Sequence, residues 1–258
     1  MKPVNFIAGK LTAGVLFVCD HASNALPQSY GTLGLAKGQL ERHIAYDIGA
    51  AWVTRTLAAC FGAPAILAGF SRLLIDPNRG TDDPTLVMRL SDGAIIPGNA
   101  YADEKEIATR LVQYWLPYRQ AIRTTIDAML KQGPPPVIVS VHSFTPALKG
   151  RARPWEVGVL WDSDPRFASL LFAALASDGF CVGDNEPYDG ALKGDTLDEE
   201  VTRRGLAGLL IEIRQDLAAT EATAGALAMR LSSLMRPILA RPELHAKAFF
   251  PSRTGRHI

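Results

Sequence analysis

Val15-Leu16-Phe17-Val18-Cys19-Asp20-His21 is a nearly continuous apolar run that stops on two polar residues. That is the pattern of a strand buried on both faces, with Asp20 and His21 at its carboxyl end. The form recurs in Leu73-Leu74-Ile75-Asp76-Pro77-Asn78-Arg79 and in Val137-Ile138-Val139-Ser140-Val141-His142-Ser143. In Gly208-Leu209-Leu210-Ile211-Glu212-Ile213-Arg214 a Glu sits within the run. An open α/β sheet collects ligands and catalysts at the carboxyl ends of neighbouring strands. The segments therefore predict a three-layer α/β/α fold with a mostly parallel or mixed central sheet.

The intervening sequence supplies the helices. Ala45 to Phe61 carries Ile48, Trp52, Val53, Leu57 and Cys60 at helical spacing and closes on Gly62 and Pro64, which predicts the first crossover helix. Ala65-Ile66-Leu67-Ala68 and Leu73-Leu74-Ile75 read as strands, joined as a hairpin through Gly69, and residues 76–100 as a long loop serving as a lid. Glu104 to about Gln132 reads as a long amphipathic helix interrupted near Pro117. Further strands are expected at Trp155–Trp161 and near Phe180–Val182, and helices at Pro165–Ser177 and Glu221 to about Arg236. One catalytic domain spanning residues 1–258 is expected, with a loosely ordered tail from about residue 242.

Composition narrows the class of function. Lys plus Arg total 27 against 26 Asp plus Glu, so no nucleic-acid or anionic-membrane partner is expected, and a small molecule is. The three cysteines, Cys19, Cys60 and Cys181, have no C-x-x-C spacing, which argues against a disulfide scaffold or a cysteine zinc site and suits a reducing cytoplasm. No run of eighteen apolar residues and no signal-peptide pattern occurs, so a cytoplasmic protein is expected. Oligomeric state is not legible.

Two histidines, His21 and His142, stand at equivalent ends of two predicted strands. Each reads either as a satisfied polar residue or as a metal ligand, and the pair strengthens the second reading, since imidazole is the commonest zinc ligand. Asp47, four residues after His43 at the predicted start of a helix, reads as a third ligand, as a carboxylate orienting a ligating imidazole, or as an acid suited to a helix start. His245 and His257 read as solvated tail residues. Glu212, inside an aliphatic strand, is either a proton carrier beside a metal or the partner of Arg214, which shares its face. Arg72 and Arg79 flank the Asp76 segment and read as clamps for a substrate carboxylate or as partners of Asp76.

At these residues the chain resembles the N-formylglutamate amidohydrolase family. The resemblance rests on Asp20-His21-Ala22-Ser23-Asn24 with Pro27, His43 to Ala50, Ser71-Arg72 through Asp76-Pro77-Asn78-Arg79, His142-Ser143-Phe144-Thr145-Pro146, Asp184-Asn185-Glu186-Pro187-Tyr188 and Ile211 to Leu217. It implies a fold similar to zinc-dependent exopeptidases and hydrolysis of N-formyl or N-acyl acidic amino acids. One Zn²⁺ on His21, His142 and Asp47 is implied, with Glu212 and Arg72 in catalysis and Asn78, Arg79, Asn185, Tyr188 and Arg214 around the substrate. A zinc amidase or peptidase with another substrate, or a non-catalytic binding homologue, is the alternative. Two positions depart from the related patterns. Asn24 stands where zinc carboxypeptidases have a Glu ligand, which makes Asp47 the substitute, and Glu200 stands where close relatives have a His, which opens the expectation of altered activity or specificity.

Overall fold

The computed structural model describes residues 1–255. Its strands are β1 (Val4–Ile7), β2 (Val15–Cys19), β3 (Ala65–Ala68), β4 (Leu90–Ser91), β5 (Ala94–Ile95), β6 (Val137–Phe144), β7 (Ala147–Leu148), β8 (Arg151–Ala152), β9 (Val157–Leu160), β10 (Val182–Asp184) and β11 (Gly208–Arg214). The helices are α1 (Ala50–Phe61), α2 (Glu104–Arg110), α3 (Leu116–Gln132), α4 (Pro165–Ser177), α5 (Thr196–Glu200) and α6 (Glu221–Leu239). Seven strands form one sheet in the order β1-β3-β2-β6-β11-β9-β10. Strands β3, β2, β6 and β11 run parallel, β1 and β9 are antiparallel to their neighbours β3 and β11, and β10 is parallel to β9. The sheet is mixed, within the predicted class.

Continuous apolar strands need cover on both faces, and the helices supply it. On one side Phe17, Val139 and Ile211 pack with Val53 and Leu57 of α1, Leu171 of α4 and Leu231 of α6. On the other, Leu16, Val18, Ile138 and Leu210 pack with Tyr118, Ile122 and Ile126 of α3. Alternate residues of β2 thus go to opposite layers, and each fully buried Leu, Ile or Phe contributes roughly 1.5–3 kcal/mol. No described helix is long and apolar enough to cross a membrane.

Several boundaries differ from the sequence reading. Helix α1 begins at Ala50, not Ala45, because Gly49 adopts a left-handed φ of 85° at its N-cap. A Cβ at Gly49 would lie 2.3 Å from the Ala218 carbonyl oxygen, so only glycine brings the chain this close to the turn after β11. His43 and Asp47 therefore lie in turns and share no helix face. Leu73–Ile75 is a buried turn closed by Leu74 N–H donating to Ser71 O, and the hairpin through Gly69 does not form because β1 occupies the outer edge of β3. Strand β1 itself escaped the sequence reading; it is short and half-exposed.

The interruption near Pro117 is a π-helical turn over Leu111–Trp115 between α2 and α3. Proline offers no N–H to the preceding turn and crowds its carbonyl, which a widened turn relieves. Residues 76–100 carry the β4–β5 hairpin and are anchored by Asn99, whose Nδ2 donates to the carbonyls of Leu73 and Met88, each at 2.8 Å. Within the described part of the tail Leu244 is buried, and Arg253 bonds Asp162 and Trp161. His245 is not solvated but bonds the carbonyls of Pro135 and Leu239 at 3.0 and 2.8 Å. His257 lies outside the described residues.

Candidate active site

Strands β2, β6 and β11 are neighbours, and their polar residues converge at the carboxyl edge of the sheet. Residue Glu212 is register partner to His142 on one side and to Gly158 on the other. Asp47 comes from the turn before α1, held by its backbone N–H to His21 O (2.9 Å), by Ser143 N–H donating to Oδ2 (3.2 Å) and by Arg72 Nη1 at 3.4 Å from Oδ1. The donor atoms of His21, Asp47 and His142 all lie within 4.8 Å of one another.

Each imidazole is fixed by a carboxylate on its far side. Nε2 of His21 donates to Asp76 Oδ1 at 2.7 Å, and Nε2 of His142 to Asp20 Oδ2 at 3.0 Å. Nδ1 of each ring is thereby turned toward Asp47 Oδ2, at 3.4 and 2.9 Å respectively. Asp76 is braced by Arg72 Nη2 (3.0 Å) and Asn78 N–H (2.9 Å). Asp20 takes four donors: Tyr118 OH, Thr196 Oγ1, Ser140 Oγ and His142 Nε2. Burial would raise the pKa of Asp20, but the bond and charge of His142 outweigh it and hold the carboxyl well below its usual range. Burial would likewise depress His142, yet its bonds to Asp20 and Asp47 push it up to about 10.

These residues fit a divalent cation. Two acceptor-only sets, the Nδ1 lone pairs and the Asp47 carboxylate, face one another at hydrogen-bond distance, which requires either a proton on the ring or a cation between them. Two imidazoles and one carboxylate, with imidazoles oriented from behind by carboxylates, are a donor set that can hold a divalent metal ion and leave a coordination position open. Beside it Glu212 is buried, and its Oε2 has no hydrogen-bond partner among the described residues. Burial, reinforced by the charge of Asp47, pushes its pKa up to about 8 against the pull of His142, Arg72 and Arg153. A Cβ at Gly158 would stand 2.1 Å from Glu186 O and 3.2 Å from Glu212 Cβ, so the glycine makes room for both the 185–190 loop and the glutamate.

The cluster and Glu212 open into a cavity of about 480 Å³, walled by Arg72, Asn78 and Arg79 on the β3 flank and by Tyr188, Phe144 and Thr145 toward the other. This volume suits a small ligand. Asn78 Oδ1 accepts from Thr196 N–H, and Arg79 donates from Nη1 to Asn78 O. Arg72 sits at the wall with two nitrogens directed at Asp47 and Asp76.

Four residues singled out from sequence lie elsewhere. Asn185 does not line the cavity; its Oδ1 accepts from the N–H groups of Trp161 and Gly190 and shapes the loop that carries Tyr188. Arg214 neither lines it nor pairs with Glu212: past the end of the β9 pairing its guanidinium turns to Asp216 (2.8 Å) and to the carbonyls of Pro154 and Trp155. Asn24 donates to Leu40 O. Glu200 is buried away from the cavity between Arg123 and Arg204, so the departure at this position does not touch the site. Sequence reasoning gave no role to Asp20, although its place directly before His21 at a buried strand end was a signal. It also passed over Arg153, whose Cζ lies 5.1 Å from the centre of the Tyr188 ring.

Comparison with known proteins defines the class as amidohydrolase. The chain belongs to the N-formylglutamate amidohydrolase family, whose sequence profile matches residues 13–219. Among solved structures, a gene product of Agrobacterium tumefaciens is 37% identical over 94% of this chain and 97% of its own, with a TM-score of 0.88. N-formylglutamate amidohydrolase from Ralstonia eutropha shares the fold at a TM-score of 0.61, with 21% identity over 93% of this chain and 97% of its own. No curated protein matches the sequence.

Proposed function

We propose that the protein hydrolyses the amide bond of an N-formyl or N-acyl acidic amino acid such as N-formyl-L-glutamate, releasing formate and the amino acid, with one Zn²⁺ held by His21, Asp47 and His142. The observation that carries this reading is the buried, unpartnered Glu212 Oε2 in the same cavity as the His-Asp-His cluster. Family membership supports the choice of substrate.

Zinc bound there supplies Lewis acidity, polarising the acyl carbonyl and lowering the pKa of a water to about 7. Glu212 takes a proton from the attacking water, as a carboxylate raised toward neutrality by burial is suited to do. The water oxygen bonds to the acyl carbon, the C–N bond breaks, and Glu212 returns the proton to the departing α-amine. Arg72 holds Asp47 and Asp76 in place and supports the oxyanion with its remaining edge. Arg79, with Asn78 beside it, binds a substrate carboxylate, and Tyr188 closes the opposite wall. The chain works as one catalytic domain, and its three free thiols suit the cytoplasm.

The test is formate release from N-formyl-L-glutamate by purified protein, with added zinc and again with a chelator. Chelator-sensitive release is expected. No release from protein with zinc demonstrably bound would overturn the reading in favour of another acyl substrate or a binding role.

A further inference from the structure

We propose that Arg153 reads the side-chain carboxylate of the substrate and sets a preference for dicarboxylic over monocarboxylic N-acyl amino acids; the assignment rests on the amide-hydrolysis reading above. Arg153 follows β8, and its backbone N–H donates to Pro146 O (2.8 Å), pinning the two ends of the β7–β8 hairpin together. Its guanidinium lies over two rings, with Cζ 5.1 Å from the centre of Tyr188 and 5.7 Å from that of Phe144. Both rings, and Thr145 between them in the chain's path, line the cavity.

The polar partners of the side chain are hydroxyls, those of Thr145 and Tyr188. Arg153 is only 9% exposed, its hydrogen bond to Thr145 Oγ1 is a long one at 3.4 Å, and among the described residues no carboxylate lies within ion-pair distance. A guanidinium withdrawn from water without an acid is costly, and cation–π contact returns only part of the lost hydration. The cation stands over the two rings, and a guanidinium carries five N–H donors in a planar fork, more than two hydroxyls engage, so an edge is left that a carboxylate can take in bidentate fashion. Arg153 stands directly behind these wall rings, and Arg72, a buried arginine at the wall itself, shows the contrast, since it is engaged by Asp47 and Asp76.

Placement in the sheet adds direction. Arg79 approaches from the β3 flank and Arg153 from the β11–β9 flank, with the His-Asp-His cluster on β2 and β6 between them. Two cations on opposite flanks match a ligand whose two carboxylates diverge from the carbon bearing the amide nitrogen. A carboxamide in place of the second carboxylate leaves Arg153 buried and unpaired, which is a penalty against the neutral analogue.

The experiment compares kcat/KM for N-formyl-L-glutamate and N-formyl-L-glutamine in zinc-loaded wild type, Arg153→Met and Arg153→Lys. Glutarate and butyrate binding to the same proteins is measured by calorimetry. Arg153→Met keeps the stem packed on the rings and is expected to lower the glutamate-to-glutamine ratio about ten- to hundredfold, chiefly through KM, with Arg153→Lys recovering part. An unchanged ratio overturns the assignment, as does an equal loss on both substrates, the pattern of a residue that merely tunes Glu212 or braces Tyr188. If wild type cleaves neither substrate, the deformylation reading falls by itself. In that case a tenfold or greater loss of glutarate binding in Arg153→Met, without loss for butyrate, still upholds Arg153, and equal glutarate binding by both proteins overturns it.

Discussion

Nε2 of His142 lies 3.0 Å from Oδ2 of Asp20, and this contact decides which nitrogen the imidazole turns to the cavity. The two residues are 122 positions apart and meet because β2 and β6 are adjacent parallel strands. Asp76 treats His21 in the same way at 2.7 Å. Asp20→Asn should therefore weaken zinc binding about ten- to hundredfold, as expected for loss of a carboxylate behind a ligating imidazole. A competitive zinc titration checks this, and affinity within twofold of wild type would remove Asp20 from that role.

Glu212→Gln retains the shape of the side chain and removes its proton chemistry. Turnover should fall by roughly 10²–10⁴ while bound zinc is unchanged. A near wild-type rate would exclude Glu212 from the mechanism.

Asp47 is the carboxylate facing both Nδ1 atoms. Asp47→Ala should lose most of its zinc under conditions in which wild type is fully loaded. Metal analysis at full occupancy would exclude Asp47 as a ligand.

The metal-free protein should show a defined pH window. His142 is raised from 6.5 to about 10 by Asp20 and Asp47 acting against burial, so the folded state binds more protons than the unfolded state between those values. Its stabilisation is full below about pH 6.5 and is lost as pH rises through about 10. Asp20 and Asp76 are held below the usual carboxylate range, so their stabilisation is present above that range and lost as pH falls through it. Glu212 and Asp195, raised by burial to about 8 and about 7, also bind more protons folded than unfolded, so melting temperature in chelator should be highest at about pH 4–5 and decline by several degrees toward pH 10. A rise over the alkaline range would contradict the protonated His142.

Gly158 faces Glu212 across β9 and β11. Gly158→Ala should displace the loop that carries Tyr188, cost about 1–3 kcal/mol of stability through overpacking, and reduce activity. Chemical denaturation beside the activity assay tests both parts, and an unaffected variant would show that the loop yields freely.

Much of the fold was legible because buried strands must be apolar on both faces. Val15–Cys19, Val137–Phe144 and Gly208–Arg214 announced themselves in this way, as did Pro165–Ser177 through its helical spacing. Leu73–Ile75 carried the same apolar signature and is a turn, since burial alone does not distinguish a strand from a loop packed into the core. The half-exposed edge strand β1 has no such signature. Polar residues at strand ends pointed to His21, His142 and Glu212, but the same reasoning over-reached at Arg214, whose face matched while its reach did not.

The apolar patterning alone therefore specified a covered α/β sheet and the residue types at its carboxyl edge, because strand periodicity and burial are local properties of the chain. Strand order, the turn that brings Asp47 between two imidazoles, the carboxylates behind those imidazoles, and the seating of Arg153 over Tyr188 and Phe144 were decided by tertiary structure. Each depends on a contact between segments tens of residues apart, and the energy of such a contact exists only once packing has removed water from between them.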